Sequence, residues 1–430
     1  MARQFSSNTL SGITLSPSGY EIEKVVFSTS FDEDIDITNI VGDISISESI
    51  FTSSIEVSLT IMDAVNFLEE ARVAGSERIR IVINRTEPDN EKKGFDIETY
   101  IARIDNLSKA RTGVDTYQFH CVSRHLYINQ TKEVSRAFKG NVSKLVGNLV
   151  TKDLDSTLGI HNKNTKGSIS GIYPNIRPLD AITWLLRNCS ENSTPFFFYE
   201  TVKDGIVFDS YEAMLNKPVY RTYKQKAIPK GYIPGTAEYF DMMQRQITSI
   251  SSDLDISQYH LVGDGAYGSK LNTLDYATKQ FNTTQFKYLD STQKLNKNKP
   301  FSDKIKLNGK AYSENTACKE YNISINSKSH SLNNYHDLAN PTILKKQAYY
   351  HSLGYMSQDI ITYGDFNISA GNKIDLKVGK VGDVDKGENE IDEYISGIYL
   401  ITEITHEFNG KEYTMDMAIR KDSLGFNLDE

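Results

Sequence analysis

The stretch AGSERIRIVI, residues 74–83, follows a glycine with isoleucine at every second position, and it is met again as AGNKIDLKV at residues 370–378. That spacing is the period of a half-buried strand. A charged segment of similar length comes after each copy, Arg85 to Glu98 and Lys380 to Glu393. YIARI at Tyr100–Ile104 then answers to YLITEI at Tyr399–Ile404, and YQFHCVSR at Tyr117–Arg124 to YTMDMAIR at Tyr413–Arg420. Four elements in one order, twice, mark an internal repeat. The chain is expected to be mainly β (α+β), with two similar antiparallel β-barrels.

Upstream, the first copy is preceded by EIEKVVFS (21–28), ISISE (44–48) and SIEVSLTI (54–61), all alternating like strands. Asp63 can cap a short helix whose Ala64, Phe67, Leu68 and Ala71 share a face, and Gly75 ends it. Downstream the texture changes. Asn141 can cap a helix carrying Val142, Leu145, Val146 and Leu149, and Pro178 can open another carrying Leu179, Ile182, Leu185 and Leu186. FFFYE (196–200) and IVFDSY (206–211), joined through Asp204-Gly205, read as a hairpin. Residues 129–220 are therefore expected to form a separate small α/β domain of two helices on a sheet.

Gly263, Gly265 and Gly268 spell G-x-G-x-x-G, a pattern that cradles phosphates when it runs from a strand into a helix. Here the glycines lead into SKLNTLD, which alternates like a strand. By comparison with Ser49–Ser53 of the first copy, they are expected in a loop between two strands of the second barrel. The expected boundaries are an N-terminal tail at 1–19, barrel 1 at 20–128 and the middle domain at 129–220. Barrel 2 is discontinuous, at 221–278 and 357–425, around an insertion at 279–356, and a tail at 426–430 ends the chain. The insertion opens with a polar run and closes with a helix capped by Asn340, opened by Pro341 and ended by Gly354.

The 430 residues carry a net charge of −8, which argues against a nucleic-acid clamp, because phosphate neutralisation needs clustered Lys and Arg. The 25 Tyr and 19 Phe against one Trp favour strands. The first twenty residues lack the apolar core of a signal peptide, and no segment approaches the ~18 apolar residues of a membrane span, so no membrane insertion is expected. Cys121, Cys189 and Cys318 are too scattered for a disulfide framework or a zinc knuckle and are expected as buried or free thiols. Trp184 reads as core.

Candidate chemistry is thin. The acidic run Phe31–Asp36 reads as a solvated strand end, since paired-acid hydrolysis needs a cleft and one raised pKa. His120 points away from Cys121 and His125 on a strand, and the spacing fits no zinc set. Asp383–Glu388 approaches a calcium loop, but its glycine is one place early and Tyr394 stands where a bidentate Glu is needed. No catalytic residue, metal site or cofactor is expected.

Three stretches carry a family resemblance: YPNIRPLDAITWLL (173–186) with the hairpin after it, GAYGSKLNTLDYATKQF (265–281), and YGDFNISAGNKIDL (363–376) with the strands that end the chain. Over residues 20–425 the chain resembles the central baseplate hub protein of contractile-tailed, T-even-like bacteriophages, relatives of which form the base of secretion-type injection spikes. The resemblance implies a structural virion protein of the tail baseplate, assembled in the host cytoplasm, and not an enzyme. It implies a ring-shaped homotrimer with two tube barrels per chain, six around a channel. Implied partners are a trimeric cell-puncturing spike, the tail-tube ring and baseplate wedge proteins, with genomic DNA passing through the lumen unbound. The competing reading is a carbohydrate-binding or carbohydrate-degrading β-protein of the same tail, which requires an aromatic-walled cleft with two facing carboxylates.

Overall fold

The computed structural model describes residues 19–31, 33–85, 94–109, 113–189, 194–225, 236–255, 258–287, 301–302, 304–311, 319–325, 342–380, 391–410, 412–426 and 428. The chain opens with β1 (Tyr20–Ser28), β2 (Asp34–Asp36), β3 (Val41–Ser49), β4 (Glu56–Asp63), α1 (Phe67–Glu70), β5 (Arg78–Arg85), β6 (Gly94–Lys109) and β7 (Asp115–Val122). The middle unit comprises α2 (Arg124–Asn129), β8 (Ala137–Gly140), α3 (Val142–Asn148), β9 (Ile160–Asn162), β10 (Ile169–Ile172), α4 (Pro178–Asn188), β11 (Phe196–Thr201), β12 (Gly205–Ser210) and α5 (Tyr211–Asn216). Next come β13 (Val219–Lys224), α6 (Ala237–Gln244) and β14 (Ile247–Asp255). An excursion holds α7 (Gln258–Gly263), β15 (Gly268–Asp275), β16 (Gln280–Lys287), β17 (Lys306–Leu307), β18 (Lys310–Ala311), β19 (Lys319–Ile325) and α8 (Thr342–Ser352). β20 (Met356–Tyr363), β21 (Lys373–Lys377), β22 (Gly397–Phe408) and β23 (Tyr413–Lys421) complete the fold.

One mostly antiparallel sheet carries both copies of the repeat. Its order is β14-β20-β23-β22-β3-β4-β7-β6-β5-β1-β2, with β21 and β13 branching from β22. The paths β3-β4-β7-β6-β5-β1 and β14-β20-β23-β22-β21-β13 are one arrangement taken twice. The copies agree in detail. β6 inserts Ala102 between the paired Ile101 and Arg103, and β22 inserts Thr402 between Ile401 and Glu403. Gly75 and Gly371 both adopt positive φ, +96° and +81°, a conformation that suits glycine. Ile101 N–H donates to the Glu77 carbonyl as Ile401 N–H does to that of Asn372, each at 2.9 Å. The copies part at the last strand, where β1 runs antiparallel to β5 but β13 runs parallel to β21.

A single apolar core spans the two halves, and Phe95 of β6 lies edge-on to Phe366 of the second half at 4.8 Å. The middle unit is less separate than its sequence predicts. Asn141 caps α3 by accepting from Lys144 N–H, and Pro178 opens α4, as expected. Those helices cover only one face of the β11–β12 hairpin, where Phe196, Phe198, Ile206 and Phe208 join the middle core. Phe197, Tyr199 and Val207 on the other face belong to the main core. All six residues of β11 are buried, because its sheet is a wall between two cores. Trp184 is half-buried, edge-on to Phe138 at 5.7 Å.

Two further expectations need correction. β15 is a strand, but it pairs with β16 and β19 in a sheet of its own, so the strand equivalent to β4 is β20 and not Gly268–Asp275. The excursion accordingly leaves the main sheet after Asp255 and returns at Met356, earlier than the insertion boundary at 279. Alternation alone does not tell which sheet a strand joins, since β15 also buries one apolar side, Leu271, against Leu344 and Ala348 of α8. The helix expected at Asp63 is a single turn beginning at Phe67; the Asp63 carboxylate still accepts from Val65 and Phe67 N–H. Asn340 and Pro341 lie outside the described residues, as do Asp383–Glu388, Asp32 and Cys318. Among the described residues no helix is long and apolar enough to cross a membrane.

Gly364 gives a direct check on core packing. A Cβ there would lie 2.0 Å from Cδ1 of the buried Tyr413, whose ring stacks on Phe408 at 4.4 Å and meets Phe366 at 4.6 Å. The ring cannot retreat, so Gly364→Ala is expected to lower stability by about 2 kcal/mol. A urea midpoint equal to that of the unsubstituted protein would contradict this packing.

Candidate functional site at the seam between the halves

The two halves are joined by a seam of backbone pairing between β22 and β3. It runs antiparallel from Glu403 opposite Ser49 to Phe408 opposite Ile44. Ile50 N–H extends it to the Thr402 carbonyl at 3.0 Å, and the hydroxyls of Ser47 and Thr405 meet across its outer face at 3.0 Å. Alternation in ISISES sends Ile44, Ile46 and the carboxylate of Glu48 to the inner face. A carboxylate there demands partners.

Glu48 finds them in the two other parts of the molecule. One oxygen accepts from Val202 N–H of the middle unit at 2.7 Å, the other from Ala370 N–H of the second half at 3.1 Å. One side chain thus ties three chain regions together. Burial pushes its pKa up to about 7; the two N–H groups oppose the shift, and Glu200 and Asp204 add to it. Glu200, at the end of β11, mirrors the arrangement. It accepts from Ile55 N–H at 2.9 Å and from the Ser123 hydroxyl, both in the first half. Burial raises its pKa too, against the pull of His125 and the two hydrogen bonds.

Ser123, His125 and Glu200 lie together beside a cleft of about 340 Å³, which Arg80, Asp96 and Leu158 also line. The composition invites a hydrolase reading, but the wiring does not support one. Ser123 donates straight to Glu200, and His125 Nε2 bonds the main-chain carbonyl of Ser53 at 2.7 Å, so among the described residues the serine hydroxyl is held by a carboxylate and not by an imidazole. Both oxygens of Asp96 are held by Arg80, which lowers the carboxylate pKa. The lining of this cleft contains no Phe, Tyr or Trp on which a sugar ring could stack. A sugar-cleaving site with stacking walls and one free acid is not what this cleft offers.

His406 also faces inward from the seam. Its Nδ1 lies 2.8 Å from the Tyr413 hydroxyl and its ring 5.0 Å from that of Phe95. Full burial pushes its pKa down to about 3, although Asp365 pulls the other way.

The other sequence candidates are dispersed. His120 turns outward to Asp105 at 2.9 Å, Cys121 is in the core with its thiol pKa pushed up to about 12 by burial, and Cys189 is buried likewise. Within the acidic run, Asp34 accepts from the Ser28 hydroxyl at 2.6 Å on the edge strand β2. The glycine motif runs from the end of α7 through Gly265, at φ +79°, into β15. A helix therefore enters the turn instead of leaving it. Its carbonyl end, which repels anions, is what faces the glycines. The loop thus joins a helix to a strand and not two strands of a barrel. Among the described residues no three His, Cys, Asp or Glu side chains gather as a metal site. Sequence reasoning missed Glu48 and Glu200; the signal available was an acid at an inward position of an alternating strand, and another closing an all-buried one.

No protein-family model and no curated protein matches the chain. Solved structures do. A tail protein from Neisseria meningitidis MC58 superposes with a TM-score of 0.54 at 11% identity, covering 94% of this chain and 97% of that one. The 43 kDa tail protein of prophage MuSo2 from Shewanella oneidensis gives 0.51 at 9% identity, covering 93% and 99%. The superpositions take in more than nine-tenths of the chain, so the chain shares the fold of these tail proteins.

Proposed function

We propose that the chain is a structural tail protein, the hub at the base of a contractile tail, and that three copies close into a ring of six barrels. The observation that carries this reading is the doubled strand set: one chain supplies two equivalent units side by side in one sheet. Three such chains present near-sixfold symmetry to a hexameric tail-tube ring and threefold symmetry to a trimeric spike. In that role the protein holds the spike, passes on the thrust of the tube and leaves a passage for DNA. Wedge proteins of the baseplate contact its outside. The net charge of −8 suits such a conduit, because a wall of like charge lets DNA slide without sticking.

Support comes from the tail-protein fold and from an apolar core shared between the halves. The wiring of the cleft weighs against the carbohydrate reading. Light scattering tests the proposal. A species of three 48.5 kDa chains, alone or with a trimeric spike protein, is expected. A monomer indifferent to both spike and tube would overturn it.

A further inference from the structure

We infer that the two open edges of the main sheet, the far half of β6 and the outer flank of β14, are the two sides of one head-to-tail junction between copies of this chain. The inference deepens the ring reading above and rests on it only for the number of copies.

The seam inside the chain supplies the pattern. β22 changes neighbour partway along: up to Leu400 it pairs with β21, and after the extra residue Thr402 it pairs with β3 from Glu403 to Phe408. β6 begins in the same way. It pairs with β5 up to Tyr100 and then inserts Ala102. From Arg103 to Lys109, however, the flank of β6 away from β7 has no strand partner among the described residues. The strand that would fit is a counterpart of β3. β14 is that counterpart, for it borders β20 as β3 borders β4, and its other flank is likewise unpaired among the described residues. One chain therefore holds a complete seam and two unmatched halves of a second.

The pairings fix a register. β6 has a second irregularity, between Asp105 and Ser108, that β22 lacks, so the places are matched along the neighbouring strands: Ser108, opposite Thr116 and four places on from His120, holds the place of Glu407, opposite Thr414 and four places on from Ala418. In the same way Ser251, opposite Asp359, holds the place of Ser45, opposite Ser58. Glu407 and Ser45 face each other across the internal seam. Ser108 of one copy should then face Ser251 of the next. Joining different patches on each copy makes the junction heterologous, which propagates around a ring without leaving an edge. β6 also has a left-handed residue, Asn106 at φ +55°, and exposed charges at Arg103 and Lys109, features that can guard a solitary edge. Such an edge would take no partner, and the test separates the two.

Ser108→Cys and Ser251→Cys are introduced singly and together into the full chain, and the singles are also co-expressed. Mild oxidation is followed by denaturing electrophoresis, with the unsubstituted protein as baseline for Cys121, Cys189 and Cys318. Neither single variant should cross-link above that baseline, the co-expressed pair should give covalent dimers and nothing larger, and the double variant should convert most monomer into larger covalent rings. Cross-linking of a single variant to itself would mean a twofold contact and would overturn the junction. Absence of cross-links from the pair would also overturn it, and if light scattering still showed trimers, the ring would stand with a different contact. Cross-links in a protein that is not trimeric would keep the junction and remove the ring.

Discussion

Replacing Glu48 by alanine should destabilise the fold by about 4 kcal/mol near pH 4.5 and by only about 1 kcal/mol near pH 8. The first figure comes from leaving two buried N–H groups, Val202 and Ala370, without an acceptor, at roughly 1–3 kcal/mol each. The second comes from the carboxylate's own titration. Its pKa rises from 4.5 to about 7 on folding, so between those values the folded chain binds more protons than the unfolded one. Stability contributed by this group therefore falls as pH rises through that window, by about 3 kcal/mol for the full shift. The alanine variant has no such group, and the gap between the two proteins closes. Glu200 is raised in the same direction, so the pair titrates as a coupled unit. Urea denaturation of both proteins across pH reads the difference directly. A penalty that stayed constant, or grew towards alkaline pH, would sink this account of the junction.

His406 should act with the opposite sign. Its imidazole is held neutral, at about 3 against an ordinary 6.5, so from pH 6.5 downward the unfolded chain takes up a proton that the folded chain refuses. Stability is lost as pH falls, by about 4 kcal/mol at pH 3.5. His406→Gln keeps an acceptor near the Tyr413 hydroxyl and removes the titration. The difference in unfolding free energy, unsubstituted minus variant, is expected to fall steadily from pH 6.5 to 3.5. A flat difference would mean that the ring is not sealed from water as the packing of Phe95 and Tyr413 implies.

Much of this architecture is written in local sequence. The repeat is legible because period-two alternation and the paired AG glycines are properties of neighbouring residues, and α3 and α4 are legible because Asn141 and Pro178 have defined capping roles. Pairing at a distance is not legible. Nothing in ISISES says that β3 will lie against a strand near the end of the chain, and nothing in SKLNTLD says that β15 will leave the main sheet. Ser123 and Glu200 are likewise brought together only by the packing of β11 on the first half. The true extent of the excursion is hidden for the same reason. A strand's period specifies which face is buried, and its neighbours are chosen by the tertiary fold.

The seam also sets a timetable. Its two strands are made about 350 residues apart, so at ~5–20 residues per second β3 waits on the order of half a minute on the ribosome before β22 exists. Through that interval Glu48 has no Ala370 to bind, and the edge of β3 is open to any other strand. The serines at 45, 47 and 49 on its outward face make that edge a poor surface for aggregation while the nascent chain waits for its own end to arrive.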